Sequence, residues 1–277
     1  MKLSLAIPTP EVHAPIPVAL LTGSFAQRLE KAARLGYDGV ELMVLHPEAL
    51  DVADIRARIY GCGLQPAAIG TGALALVEHV TLLAASRDAS IEAENRLHTL
   101  IEFASSIGAP LVTIGGFRGW LTNPGWTDRD GALAYFVAVL RRAATVAEQA
   151  GVHLALEPLN RYESDIVNTA DEGLALIDEV GHRHLGLLLD TFHMNIEEPS
   201  FTSSIEKVMA AGRLWHIHLG DSNRLPPGQG HIPFGDIVAS LSRTGYHGYL
   251  SAELLKKPDP DSAAAATATY LRALLRL

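Results

Sequence analysis

The chain of 277 residues contains a single cysteine, Cys62, so no disulfide can form within it. A reducing, cytoplasmic setting is the natural expectation. Cys62 precedes Gly63 near the end of a helix-like stretch and reads as a small packed hydrophobe. Basic residues are outnumbered, 22 Lys and Arg against 31 Asp and Glu, giving a formal net charge of −9. Without a basic cluster the chain is poorly suited to a phosphate backbone, and no nucleic-acid partner is expected. Long apolar runs are also missing. The longest stretch, Gly72 to Ala85, is interrupted by Glu78 and His79 and falls short of the roughly 20 residues of a membrane span. The opening Met-Lys-Leu-Ser-Leu-Ala-Ile-Pro is too short for a secretory core. A soluble chain with no membrane partner is expected. No Ser/Gly/Pro tract or shift in composition marks a boundary, which implies one domain over residues 1–277.

What the chain does have is alternation. Short β-rich runs at 3–7, 39–44, 66–69, 111–115, 153–157, 185–190, 215–219 and 249–254 are separated by amphipathic stretches near 24–35, 51–61, 88–107, 129–150, 170–180, 201–211, 234–244 and 260–276. Eight strand–helix pairs at this length predict an α/β fold, a (β/α)8 TIM barrel. Gly36, Gly108, Gly151, Gly181, Gly212 and Gly245 each stand where a helix should stop before the next strand. Three longer loops follow strands, at 70–87, 116–128 and 221–234. In such a barrel these lie on the catalytic face. Trp120 and Trp126 in the second loop could form a lid or substrate wall, or pack on each other's loop.

Four of the strand ends carry an acid or an imidazole: Glu157, Asp190, His218 and Glu253. Side chains at strand C-termini converge on one mouth of a barrel, and an unpaired buried carboxylate is costly. Three acids at equivalent strand ends are hard to explain as separate structural features. His216 and His218, two apart on a strand, share a face. His218 is level with the acids, whereas His216 sits one layer deeper, as a core or supporting residue. Three oxygen donors and one nitrogen favour one hard or borderline divalent ion, Mn²⁺ first, with Co²⁺ or Mg²⁺ as alternatives. Such an ion could polarise a sugar carbonyl and acidify the neighbouring C–H, with Glu157 and Glu253 as acid/base groups on opposite faces of that carbon. Glu163, His193 and Arg224 lie on the same loops and could bind substrate or simply be solvated. His231 is ambiguous, and Glu41 could line the mouth or pair structurally.

The motifs Glu157-Pro-Leu-Asn-Arg-Tyr-Glu163, Leu189-Asp-Thr-Phe-His-Met-Asn-Ile-Glu-Glu198 and His216-x-His-x-x-Asp-Ser-Asn-Arg-x-x-Pro-Gly-x-Gly-His231 resemble the ketose 3-epimerase family of xylose isomerase-like TIM barrels. The resemblance implies Glu157, Asp190, His218 and Glu253 as metal ligands. It implies Glu157 and Glu253 as the acid/base pair working through a cis-enediolate, and Glu163, His193 and Arg224 on the oxygens of a small sugar. A homo-oligomer, dimer or tetramer, is also implied. The N-terminal half, with Met1-Lys-Leu-Ser-Leu, Ala68-Ile-Gly-Thr-Gly72 and Arg118-Gly119, is similar to 5-keto-L-gluconate epimerases. In that comparison Arg118 would hold a substrate carboxylate. Neutral ketose and keto-uronate therefore both stand as expected substrates. Rival activities are an aldose–ketose or hydroxypyruvate-type isomerase, which needs the same metal. An endonuclease IV-like enzyme is the remote rival, because the ends of strands 2 to 4 lack the additional histidines it would need.

Overall fold

A computed structural model describes residues 1–126 and 128–275. Eight strands, β1 (Lys2–Pro8), β2 (Gly39–Met43), β3 (Gln65–Gly70), β4 (Leu111–Ile114), β5 (His153–Leu156), β6 (Leu185–Asp190), β7 (Leu214–Leu219) and β8 (Tyr249–Ala252), pair in parallel and in chain order. β8 pairs back onto β1, which closes the barrel. The helices are α1 (Phe25–Arg34), α2 (Val52–Gly61), α3 (Gly72–Val77), α4 (Arg87–Ile107), α5 (Arg129–Ala150), α6 (Ala170–Val180), α7 (Thr191–Glu197), α8 (Phe201–Ala210), α9 (Phe234–Arg243) and α10 (Pro260–Leu274).

β2 and β6 are buried along their whole length, as expected of parallel strands covered by helices outside and packed side chains inside. Helix starts are set by side-chain caps. Ser86 accepts from the Ala89 N–H at α4, and Thr169 with Glu172 forms a reciprocal box at α6. All six glycines expected at helix ends have positive φ. Most of the core lies between strands and helices. A smaller apolar cluster, Ala68, Leu111, Ala155 and Leu188, is separate from it. Ala68 is the register partner of Glu41, and Leu188 that of His216, so apolar and polar side chains share these levels of the barrel.

The structure adds helices where only loop was expected. Residues 70–87 contain α3, and α7 begins directly after β6. The 116–128 loop opens with a 3-10 turn at Gly116–Arg118, and its Thr127 lies outside the described residues, as does Arg276 of the expected last helix. No helix among the described residues is long and apolar enough to cross a membrane.

Gly151 ends α5 at φ +70, and a Cβ there would meet nothing within 4 Å. Gly151→Ala therefore isolates the cost of the left-handed conformation. It should lower unfolding free energy by about 1 kcal/mol in urea titration, with no change in the site.

Candidate active site

Glu157 follows β5, Asp190 ends β6, His218 lies in β7 and Glu253 follows β8, so four consecutive strands deliver one group each to the same mouth. One donor atom from each lies within 4.8 Å of the others. His218 Nδ1 is 3.3 Å from Glu253 Oε2 and 3.6 Å from Glu157 Oε1. Asp190 also caps α7, its Oδ1 accepting from the Phe192 N–H at 2.8 Å. Its Oδ2, together with Glu157 Oε1 and His218 Nδ1, is buried without a hydrogen-bond partner among the described residues. Buried polar atoms are normally satisfied. Here the orphaned ones converge, and all are acceptors or, for the imidazole nitrogen, able to be one. This donor set suits a divalent cation, which these four residues could hold.

The electrostatics point the same way. Burial, reinforced by Glu157, raises Asp190 to about 7. Burial also raises Glu157, against the pull of His218. Burial would raise Glu253 as well, but His218 and Arg224 outweigh it and hold Glu253 below the usual range. His218 is the converse case: burial opposes its charge, yet Glu41 and Glu253 drive its pKa well above the ordinary value. Without a metal, the proton on His218 is the positive charge these acids draw in.

Behind His218 stands Glu41. Its Oε2 is 3.0 Å from His218 Nε2 and 3.0 Å from His216 Nε2, and it accepts from Ser251 Oγ at 2.8 Å. Glu41 reaches these groups across the barrel interior from β2, and it is 1% exposed. In the neutral ring a carboxylate on Nε2 keeps the proton there, so that Nδ1 would offer its lone pair to a bound metal ion. Glu41, His216 and His218 also lie close enough together to hold a metal ion, but their facing atoms are already paired with one another.

A cavity of about 570 Å³ opens over three of the four groups, Glu157, His218 and Glu253, and its polar lining also includes Glu163, His193 and Arg224. Arg224 Nη1 is 3.3 Å from Glu163 Oε2, and Nη2 is 3.6 Å from Glu253 Oε2. The guanidinium also lies over the Phe192 ring, 4.9 Å from its centroid. Trp120 also lines the cavity, with the apolar Leu76 and Leu255, whereas Trp126 packs on Tyr135. His231 is on the loop surface, bonded to Ser222.

Arg118 is placed differently from its expected role. It is fully buried, and its guanidinium donates to the carbonyls of Ile114, Gly115, Ile166 and Val167 at 2.8–3.3 Å. Burial lowers its pKa to about 10, with Glu157 pulling the other way. It ties the loop after β4 to the loop after β5 and does not line the cavity, so it is not available to a substrate carboxylate. Its chain position gave no sign that the side chain turns inward.

Two supporting residues were not singled out for a role from the sequence. Asp221, fully buried, accepts from the backbone N–H groups of Ser222, Gly228, Gly230 and Ile232, which draws the 221–232 loop around one carboxylate. That loop holds Arg224 in a left-handed conformation, φ 59. Gly115 is the second: a Cβ there would collide with Glu157 Oε2.

Residues 29–274 match the model of the xylose isomerase-like TIM barrel family. The L-ribulose 3-epimerase of Methylomonas sp. (strain DH-1) is 36% identical over 231 residues, covering 80% of this chain and 75% of that protein. The D-psicose 3-epimerase of Enterocloster bolteae is 45% identical over 121 residues, a match spanning 44% of this chain and 40% of that protein. A crystal structure of D-psicose 3-epimerase with D-tagatose from Clostridium cellulolyticum H10 superimposes with a TM-score of 0.82 at 26% identity, covering 99% of each chain. The chain belongs to the xylose isomerase-like TIM barrel family and, within it, to the ketose 3-epimerases.

Two outcomes follow from this geometry. Glu41→Gln removes the carboxylate that orients His218 and should weaken Mn²⁺ binding about 10- to 100-fold by calorimetric titration; unchanged affinity would show that Glu41 is only packing. Arg118→Met removes a side chain that ties the two loops together, although each of the four carbonyls keeps a second donor, and should destabilise the fold by about 1–2 kcal/mol, read as a drop in the urea midpoint.

Proposed function

We propose that this chain is a metal-dependent epimerase that inverts C3 of a ketose, and that Glu157 and Glu253 exchange the proton. The observation that carries this reading is the pair of carboxylates that converge on His218, with acceptor oxygens 3.6 and 3.3 Å from its Nδ1, where both line a sugar-sized cavity. A divalent ion held by Glu157, Asp190, His218 and Glu253 supplies Lewis acidity that polarises the ketone; the oxygen-rich donor set favours Mn²⁺, with Co²⁺ or Mg²⁺ as alternatives.

The residues of the chain do the rest. One glutamate takes the C3 proton, and the C–H electron pair passes into the enediolate of the substrate. The other glutamate, protonated at the outset, gives its proton to the opposite face, which inverts C3, leaves the sugar's composition unchanged and exchanges the protonation states of the two carboxyls. His193 and Arg224 face the oxygens nearest the reacting carbon, and Glu163, tethered to Arg224, closes that side of the cavity. A neutral ketose fits this cavity better than a keto-uronate. Arg224 is the one Arg or Lys among the described lining residues, and it is already engaged by two carboxylates.

The test is to strip the protein with chelator, reload it with Mn²⁺, and incubate it in D₂O with D-tagatose, D-fructose, L-ribulose or tagaturonate. Proton NMR should show deuterium entering C3 of a neutral ketose together with its epimer, dependent on metal. Glu253→Gln should slow this about 10³-fold. Aldose formation would make the enzyme an isomerase, and exchange on none of the sugars by the metal-loaded protein would overturn the proposal.

A further inference from the structure

We propose that Asn160 is a positioning residue that fixes the tautomer of His193, so that the ring presents Nε2–H as a hydrogen-bond donor to the ketone oxygen beside the reacting carbon. This rests on the epimerase reading above for its chemical purpose, but not for its geometry.

Asn160 is 1% exposed and stands three residues beyond Glu157. Two of its groups meet the same ring nitrogen: the backbone N–H lies 3.2 Å from His193 Nδ1, and the side-chain Nδ2 lies 2.8 Å from it. A backbone N–H can only donate. The orientation of the amide is fixed by its other partners, because Oδ1 accepts from the Tyr162 N–H at 3.0 Å and Nδ2 donates to Glu163 Oε1 at 3.0 Å. Both donors therefore point at Nδ1, which must be an acceptor and has no place for a hydrogen of its own. The Asn160 carbonyl in turn accepts from the Glu163 and Ser164 N–H groups, which holds the turn rigid.

The far side of the ring agrees independently. His193 Nε2 is buried without a hydrogen-bond partner among the described residues. Two carboxylate oxygens lie near it, Glu157 Oε1 and Asp190 Oδ2, each at 3.8 Å. That is too far for a hydrogen bond, and a lone pair on Nε2 would face two carboxylates. A hydrogen there faces favourable charge and lacks only an acceptor, which a ligand in the cavity can supply. In the proposed reaction negative charge grows on the ketone oxygen, and a donor fixed beforehand stabilises that state without reorganising. Asn160 also bonds Glu163, so a single amide sets two of the side chains lining the cavity.

The tautomer can be read without substrate. In the Mg²⁺-loaded, ¹⁵N-histidine-labelled enzyme, long-range ¹H–¹⁵N spectra should show His193 with a protonated Nε2 and an unprotonated Nδ1, the resonance being assigned by its loss in His193→Gln. Asn160→Asp replaces a donor with an acceptor. It should move the hydrogen to Nδ1 and lower kcat about 100-fold while KM changes less than about threefold. Asn160→Ser, which restores a hydroxyl donor, should keep the wild-type tautomer and recover part of kcat. A wild-type ring protonated at Nδ1 would overturn the proposal even if Asn160→Asp failed to fold. Wild-type tautomer and kcat in Asn160→Asp would overturn it as well. Absence of epimerase activity with the expected tautomer present would instead overturn the functional reading.

Discussion

Three buried carboxylates, Glu41, Glu157 and Asp190, and the partly buried Glu253 surround one imidazole, and the rest of the site is arranged around that excess of negative charge. Like charges at this separation and burial cannot all stay ionised without a cation. The chain supplies part of the compensation. His218 lies between the upper acids and Glu41, Arg224 approaches Glu253 from the loop after β7, and Arg118 lies buried on the far side of Glu157, near enough to act on its charge. What remains is a cluster of acceptor atoms without a donor among the described residues, and a divalent ion would remove that deficit.

The barrel makes this arrangement possible by dividing the labour. Strand ends set the four upper groups in fixed positions, and one level down Glu41, His216 and Ser251 form a polar network that orients His218 from behind. The loops are held by single buried charges whose bonds go to backbone atoms. Asp221 gathers four N–H groups in the loop after β7, and Arg118 gathers four carbonyls in the loops after β4 and β5. Both are expensive to bury and inexpensive to satisfy once the loop has wrapped around them. Rigid loops are what a cavity needs if its donors are to be aimed before substrate arrives.

Much of this was legible in the sequence. The strand–helix alternation showed because parallel strands buried on both faces are nearly continuous apolar runs, as in Leu185–Asp190. The strand-end acids stood out against those runs. Helices α3 and α7 did not show: each is seven residues or fewer, and α7 starts on the residue after β6 with Asp190 serving as both cap and site group. Side-chain direction was the other blind spot. Glu41 meets partners 175 and 177 residues away, which no local pattern records. Arg118 sits on a loop of the catalytic face but turns into the protein, and nothing in Gly-Phe-Arg-Gly distinguishes the two directions. Asp221 acts on backbone N–H groups and Asn160 on the side chains of His193 and Glu163, and the positions of these partners exist only after folding.

The central claim is that Glu157, Asp190, His218 and Glu253 form a single cation site. The most direct measurement is a crystal structure of the Mn²⁺-soaked protein with anomalous scattering recorded at the manganese edge. One strong peak should appear among these four side chains, touching His218 through Nδ1, with Glu41 still on Nε2. A peak beside Glu41 and His216 instead, or no peak in protein that has been saturated with Mn²⁺, would contradict it.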